Sequence, residues 1–438
     1  MPSICFRRYL RTSLSPCARR AGHEATRSLK QSFWISPVLL LLTAFPLASR
    51  GTEPTIDAAF HGGNIVVERI EGDRVDLHQD LRDTEGSWFY WYFRVRGAAQ
   101  RSFTFHFTQG DVIGVRGPAV SSDGGKTWQW LGTKAATRNS FRYAFGPDGE
   151  VRFCVAIPYL EANLREFLAR HASSAHLHAQ TLCITKKGRQ VERLHLGKLD
   201  GEPTYRVLCT CRHHCCEMMA SWALEGLMES VWADGDEGRW LRQNVEFLVI
   251  PFVDKDGVED GDQGKNRKPH DHNRDYLGPS IYASVAAIRR FVPSWSQSKL
   301  VMALDLHCPV LRGGGNEQLV LVGDPAPAIW AQQQAFGRIL QQVQSGPLVY
   351  DPKNNMPYGV GWNNLKEPRS FGRWASLLPG IRIAGSLEVP YANAANQPVT
   401  PDSARALGHD LARAIRVYLA RPKNPNGTID KADILPIE

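Results

Sequence analysis

Residues 205–217 read YRVLCTCRHHCCE. The first six, Tyr205–Thr210, are an apolar run of strand length, and the polar cluster Arg212-His213-His214-Cys215-Cys216-Glu217 follows at once. A short apolar run that ends abruptly in polar residues fits a strand buried on both faces, as in parallel sheets. A His and a carboxylate three residues apart can turn toward one point. Imidazole nitrogen and carboxylate oxygen are both good ligands for zinc, which at a catalytic site takes three protein ligands and keeps one position open. His213 is an alternative ligand, but its partner three residues on is Cys216 rather than an acid. Alone, H-x-x-E is a weak signal, because chance produces it in many chains.

The same texture recurs downstream. Val245–Phe252, Leu300–Leu306 and Leu319–Gly323 are further strand-length apolar runs. Ala220, Leu224, Leu227 and Val231 recur at helical spacing, as do Leu407, Leu411, Ala414, Ile415 and Tyr418. The second set follows Thr400-Pro401, a sound N-cap and first-turn pair. Strands alternating with helices predict an α/β domain with a mixed, mostly parallel sheet flanked by helices. In such sheets functional groups gather at the C-terminal ends of strands. Asp305-Leu306-His307 ends one run, and Glu388, in the stretch GSLEVP at 385–390, ends another. Asp271-His272-Asn273-Arg274-Asp275-Tyr276 follows a glycine-rich loop between them.

Upstream, from Ile56 to Tyr159, the pattern is β. Phe103, Phe105 and Phe107 alternate with polar residues, Phe141, Tyr143 and Phe145 alternate again, and Ser122–Trp128 is a turn between apolar runs. Short strands between turn signals predict a small all-β sandwich. The aromatic run WFYWYF at 88–93 is read as sandwich core, with sugar binding as the alternative. The expected organisation is a leader over 1–50, a β-sandwich over 51–159, an α/β catalytic domain over 160–425 and a tail over 426–438.

The net charge of +8 invites a nucleic-acid reading until it is located. Residues 1–50 carry eight Lys and Arg against Glu24 alone, which leaves +1 for the remainder. A nearly neutral body removes the electrostatic footprint that nucleic-acid binding requires. The leader itself, a basic stretch before the apolar run Phe33–Ser49, has the form of a signal peptide and predicts export to the periplasm or beyond. The alternative is an uncleaved anchor, the one expected route to a membrane. Seven cysteines follow the leader, an odd number at uneven spacing, which is not a disulfide-scaffold pattern. A thiolate-rich metal site built from Cys209, Cys211, Cys215, Cys216 and Cys308 is a rival to the His/Glu site.

The order H-x-x-E, D-x-N-R, D-x-H and a late Glu resembles the carboxypeptidase A-like zinc metallocarboxypeptidases. The β-rich region ahead of it, the junction FCVAIPY at 153–159 and Ala220-Ser221-Trp222 resemble the cytosolic-carboxypeptidase branch. The resemblance spans roughly residues 56–420. It implies one Zn²⁺ per chain held by His214, Glu217 and His307, with Glu388 as general base toward the zinc-activated water. Asn273 and Arg274 would hold a substrate's terminal carboxylate, a task suited to the guanidinium fork. Arg267, or alternatively Lys265, would polarise the scissile carbonyl, and Tyr358 would clamp the substrate. Arg373 or Arg369 would favour an acidic terminal residue, Phe371 an apolar one. Peptide or protein C-termini are the implied substrates. A zinc amidohydrolase acting on a non-peptide or cell-wall amide, and a non-catalytic peptide-binding module, are the alternatives. The chain departs from the family in carrying Cys215-Cys216 where Pro-Gly is usual, and a disulfide from Cys215 or Cys216 to Cys308 is one expectation for that feature.

Overall fold

The computed structural model describes residues 53–147, 149–364 and 369–421, all within one compact unit. The expected leader and the whole of the expected tail lie outside these residues. Among the described residues, no helix is long and apolar enough to cross a membrane.

Two sheets face each other in the β-rich region. One orders Thr55–Asp57, Tyr92–Arg96, Glu150–Cys154, Ala119–Ser121 and Gln129–Trp130; the other orders Val66–Glu71, Arg74–His78, Ser102–Phe107 and Ser140–Ala144. The alternation predicted for Ser102–Phe107 is present, with Phe103, Phe105 and Phe107 all buried. Their rings meet residues of the facing sheet: Phe105 lies 5.4 Å, centroid to centroid, from both Phe93 and Phe153. Aromatic side chains bury large areas, so this interface is the energetic centre of the sandwich. Trp91 and Phe93 are core, as expected; Trp88 is not, and reappears below.

A seven-stranded sheet follows. Its strands are β1 (Leu177–Ile184), β2 (Gln190–Gly197), β3 (Tyr205–Cys211), β4 (Val245–Ile250), β5 (Leu300–His307), β6 (Val320–Leu321) and β7 (Ile383–Glu388), in the order β1-β2-β4-β3-β5-β7-β6. The four central strands are parallel, and β1, β2 and β6 join antiparallel at the two sides. Every residue of β4 and β5 is buried, as their continuous apolar runs require. Side chains alternate between two helical layers. Leu208, Leu248 and Ala303 pack with Val285, Ile288 and Val292 of the helix Ala283–Ser296. Val207, Phe247 and Met302 face the opposite layer, with the helices Met218–Trp232, Pro327–Val343 and Pro401–Ala420.

The last helix starts where the sequence predicts. Thr400 Oγ1 accepts from the Ser403 backbone N–H at 3.1 Å, and Ser403 Oγ accepts from the Thr400 N–H at 2.8 Å, a reciprocal capping box. It crosses Met218–Trp232 at backbone distance. A Cβ on Gly226 would lie 2.1 Å from the Arg405 carbonyl oxygen, and one on Gly408 would lie 2.1 Å from that of Ala223.

Candidate functional site

Because β3, β5 and β7 are parallel neighbours, their C-terminal ends reach one edge of the sheet. Cys211 pairs with Leu306, and His307 with Glu388. The chain leaves β3 through Arg212, whose φ of +60° is in the left-handed region, uncommon for a residue with a side chain. The buried Arg212 guanidinium holds this turn, Nε donating to the Cys215 carbonyl and Nη1 to that of Tyr159, each at 2.8 Å. The turn delivers Glu217 to the N-terminus of the helix Met218–Trp232, where the helix dipole favours a carboxylate.

Glu217 lies between two imidazoles. Its Oε1 is 2.9 Å from His214 Nδ1 and its Oε2 is 2.7 Å from His307 Nδ1. The ligand atoms of the three residues fall within 4.8 Å of one another. His307 is held from behind, its Nε2 2.5 Å from Asp305 Oδ2, while Asp271 Oδ1 lies near His214 Nε2 at 3.6 Å, beyond hydrogen-bond distance. An outer carboxylate that fixes ring and tautomer is the usual support of a metal-binding imidazole. Asp305 and Asp271 received no role in the sequence reading, although D-x-H and D-x-N-R carried them. His213, Asp305 and His307 also cluster. Both nitrogens of His213 are engaged, however, Nδ1 with Asp305 at 2.8 Å and Nε2 with the Tyr276 hydroxyl at 2.7 Å. No nitrogen of His213 is left for an ion.

The local field is anionic. Burial works to raise the Glu217 carboxyl, but the Lys265 ammonium and the two imidazoles outweigh it and hold it well below its ordinary range. Burial disfavours a charged His307, yet Asp305 and Glu217 drive it toward its cationic form. Four carboxylates around two imidazoles, with one His–Glu–His face of convergent atoms, suit a divalent cation. Glu388 differs from its neighbours. It is buried at the end of β7, and its carboxylate makes no hydrogen bond or ion pair among the described residues; desolvation pushes that carboxyl above the ordinary range. No ion pair joins it to Arg382 among these residues.

A cleft of about 340 Å³ opens over these groups. Asn273, Arg274 and Tyr358 line it, with Lys265, Arg373, Ser386 and Trp88. The Phe371 N–H donates to Asn273 Oδ1 at 2.9 Å, which fixes that amide. Tyr358, at the mouth, is 37% exposed. Arg267, expected to polarise the scissile carbonyl, is not among the residues that line this cleft. Its guanidinium is spent on Asp83 at 2.9 Å, Asp254 at 2.6 Å and Asp262 at 3.0 Å, and it lines a different cavity. The alternative, Lys265, does face the site, with Nζ 2.6 Å from Glu217 Oε1. Arg373 Nη1 contacts both oxygens of the buried Asp324 at 3.0 Å.

The expected disulfide is absent: Cys215, Cys216 and Cys308 are free buried thiols. The Cys215 thiol donates to the Asp262 carbonyl at 3.0 Å, and burial pushes the Cys216 thiol up to about 12. Among the described residues no cluster with metal-ligand geometry contains a cysteine. His272 is buried and stacked on Tyr282 at 3.6 Å, while His270 pairs with Asp275.

No family model matches the chain. Cytosolic carboxypeptidase 6 of Caenorhabditis elegans is 25% identical over 284 residues, covering 57% of this chain and 61% of that protein. An uncharacterized protein of Zymomonas mobilis is 27% identical over 237 residues, covering 52% of this chain and 61% of its own length. Cytosolic carboxypeptidase 3 of Mus musculus is 27% identical over 259 residues, 55% of this chain but 24% of that protein. The chain thus spans less than two thirds of these curated relatives. A metallo-carboxypeptidase from Burkholderia cenocepacia superimposes with a TM-score of 0.70 at 21% identity, covering 84% of this chain and 98% of its own. One from Pseudomonas aeruginosa, in complex with (2-guanidinoethylmercapto)succinic acid, gives 0.67 at 19%, covering 83% and 99%. In fold the chain is a mixed α/β protein of metallo-carboxypeptidase type with a strand-rich N-terminal region, and in sequence it resembles the cytosolic carboxypeptidases.

Proposed function

We propose that the chain is a zinc-dependent metallocarboxypeptidase that removes residues from free C-termini of peptides or proteins. The observation that carries this reading is the convergence of His214 Nδ1, Glu217 and His307 Nδ1 at one strand edge, beside the unpartnered carboxylate of Glu388. His214, Glu217 and His307 would hold one Zn²⁺. Bound there, zinc supplies Lewis acidity that polarises the scissile carbonyl and makes a water acidic near neutrality. Glu388 would take a proton from the attacking water and return it to the leaving amine, the two-way transfer asked of a general base. Arg274 and Asn273 hold the terminal carboxylate, which makes the enzyme an exopeptidase. Lys265, rather than Arg267, supplies the positive charge that steadies the developing oxyanion.

The terminal side chain is acidic in this reading. Arg373 engages Asp324 through Nη1, and its buried Nε has no hydrogen-bond partner among the described residues. Arg373 lines the cleft, and a guanidinium there is suited to a carboxylate.

The test compares wild type with Glu388→Gln, by metal analysis and by assay on peptides with free and amidated C-termini. The expected result is about one zinc retained in both proteins, following the three-ligand stoichiometry. Turnover in the variant falls on the order of 10²–10⁴-fold, and wild type leaves amidated peptides intact. Full activity in Glu388→Gln would overturn the mechanism. Cleavage indifferent to C-terminal blocking would favour an amidohydrolase instead.

A further inference from the structure

The loop that carries Lys265 is held mainly from the β-rich region. Asp83 receives two successive backbone N–H groups, Gln263 on Oδ1 and Gly264 on Oδ2, each at 2.9 Å. Its Oδ2 also takes Arg267 Nε at 2.9 Å. Next to it, Thr84 Oγ1 donates to the Lys265 carbonyl at 2.5 Å. The Gln263 side chain answers in the other direction, its Oε1 accepting from the Tyr90 N–H at 2.7 Å and its Nε2 donating to the Tyr90 carbonyl at 2.8 Å. Trp88, six residues before Arg94 on the strand Tyr92–Arg96, reaches into the cleft, and the Lys265 ammonium lies 5.1 Å from its ring centroid.

On its other side the loop cannot give. Gly264 has φ of +76°, and a Cβ there would lie 2.4 Å from the Cys215 backbone nitrogen. The loop is therefore pressed against the segment that carries His214, and the grip of Asp83 fixes its remaining freedom. We infer that Asp83 is a positioning residue for catalysis: by clamping Gln263, Gly264 and Arg267 it sets the Lys265 ammonium beside the His214–Glu217–His307 cluster, so the β-rich region completes the active site. This rests on the role of Lys265 given above. A carboxylate that only glued two regions together would not need one oxygen on each of two consecutive amides next to the lysine. Its loss would lower stability without changing turnover per folded molecule.

The test uses the full chain, with kinetics, metal content and acetic anhydride labelling of lysines mapped by mass spectrometry. Lys265 is 11% exposed and Lys268, an internal reference, 71%. Asp83→Asn keeps one acceptor oxygen but sets an NH₂ against a donor. It is expected to retain its metal, keep KM within about twofold and lose about tenfold in kcat, since small misplacements of a catalytic group are costly. Labelling of Lys265 relative to Lys268 should rise severalfold. Lys265→Met should lose on the order of 100-fold in kcat, and Asp83→Asn added to it should cost nothing further, because the two act through one group. Multiplicative losses, or unchanged Lys265 labelling in Asp83→Asn, would overturn the proposal. Thr84→Val, which removes the bond to the Lys265 carbonyl, is the second variant should Asp83→Asn fail to fold, and carries the same labelling expectation and the same refutation. A chain that cleaves no peptide would refute the carboxypeptidase reading, yet the labelling would still decide what Asp83 does.

Discussion

Lysine and arginine do different work around this cleft, and the division follows from their shapes. Arg267 has a planar fork and satisfies three carboxylates at once. Lys265, a compact charge on a flexible stem, sits in a narrower place against one oxygen of Glu217. Arg373 is intermediate, with Nη1 on Asp324 and Nε unpartnered. With the Arg373 guanidinium reading an acidic terminal side chain, Arg373→Gln lowers kcat/KM for peptides ending in Glu by about 10-fold or more, the scale of a lost charge-assisted hydrogen bond, while peptides ending in Leu change little. Equal losses on both substrates would show that Arg373 holds the cleft together rather than selecting. At this scale the sequence carried much of the site. The types and order of His214, Glu217, Asn273, Arg274, His307 and Glu388 were visible because each closes a recognisable run. That Lys265 rather than Arg267 lines the cleft was not, because two residues along a loop reverse which side chain faces inward.

At the scale of elements, the contact between Met218–Trp232 and Pro401–Ala420 positions the helix that begins at Glu217. Alanine normally improves an exposed helical glycine by about 1 kcal/mol. At Gly226 the added Cβ meets the Arg405 carbonyl at 2.1 Å, so the helices must separate. Gly226→Ala is expected to destabilise by about 1–3 kcal/mol, the range for overpacking, and denaturant titration checks it; a gain in stability would mean that the crossing is looser than described. On β4, Glu246 illustrates a pH-dependent contribution. Burial raises its carboxyl, but hydrogen bonds from His195, Trp295 and Arg206 outweigh that and hold it to about 2, against an ordinary 4.5. A depressed carboxyl stabilises the fold above the unfolded value and loses that contribution as pH falls from about 4.5 toward 2. Wild type should therefore exceed Glu246→Gln in Tm at pH 7 and lose the difference on acidification through that window. A difference that does not vary with pH would assign the effect to packing.

Across the whole molecule, one apolar core runs without a break from Phe103 and Phe153 of the sandwich, through Cys215 and Val207, to Leu407 and Ile415 of the last helix. The two regions share buried contacts, so calorimetry of the full chain should give one cooperative unfolding transition. Two separated transitions would mean that the sandwich folds and melts by itself. The sequence by itself determined the α/β sheet, the sandwich ahead of it and the convergence of His214, Glu217 and His307. Those depend on local periodicity and on the rule that parallel strands end on one edge, and both are written in short stretches of chain. Tertiary structure alone decided that His213 is fully engaged behind the site, that Arg267 belongs to a carboxylate cluster, that Cys215, Cys216 and Cys308 stay apart as thiols, that Trp88 reaches the cleft and that Asp83 grips the loop carrying Lys265. These depend on residues far apart in sequence, 92 positions for His213 and Asp305, meeting in a dense interior. There the direction of each side chain is set by what surrounds it rather than by its neighbours in sequence.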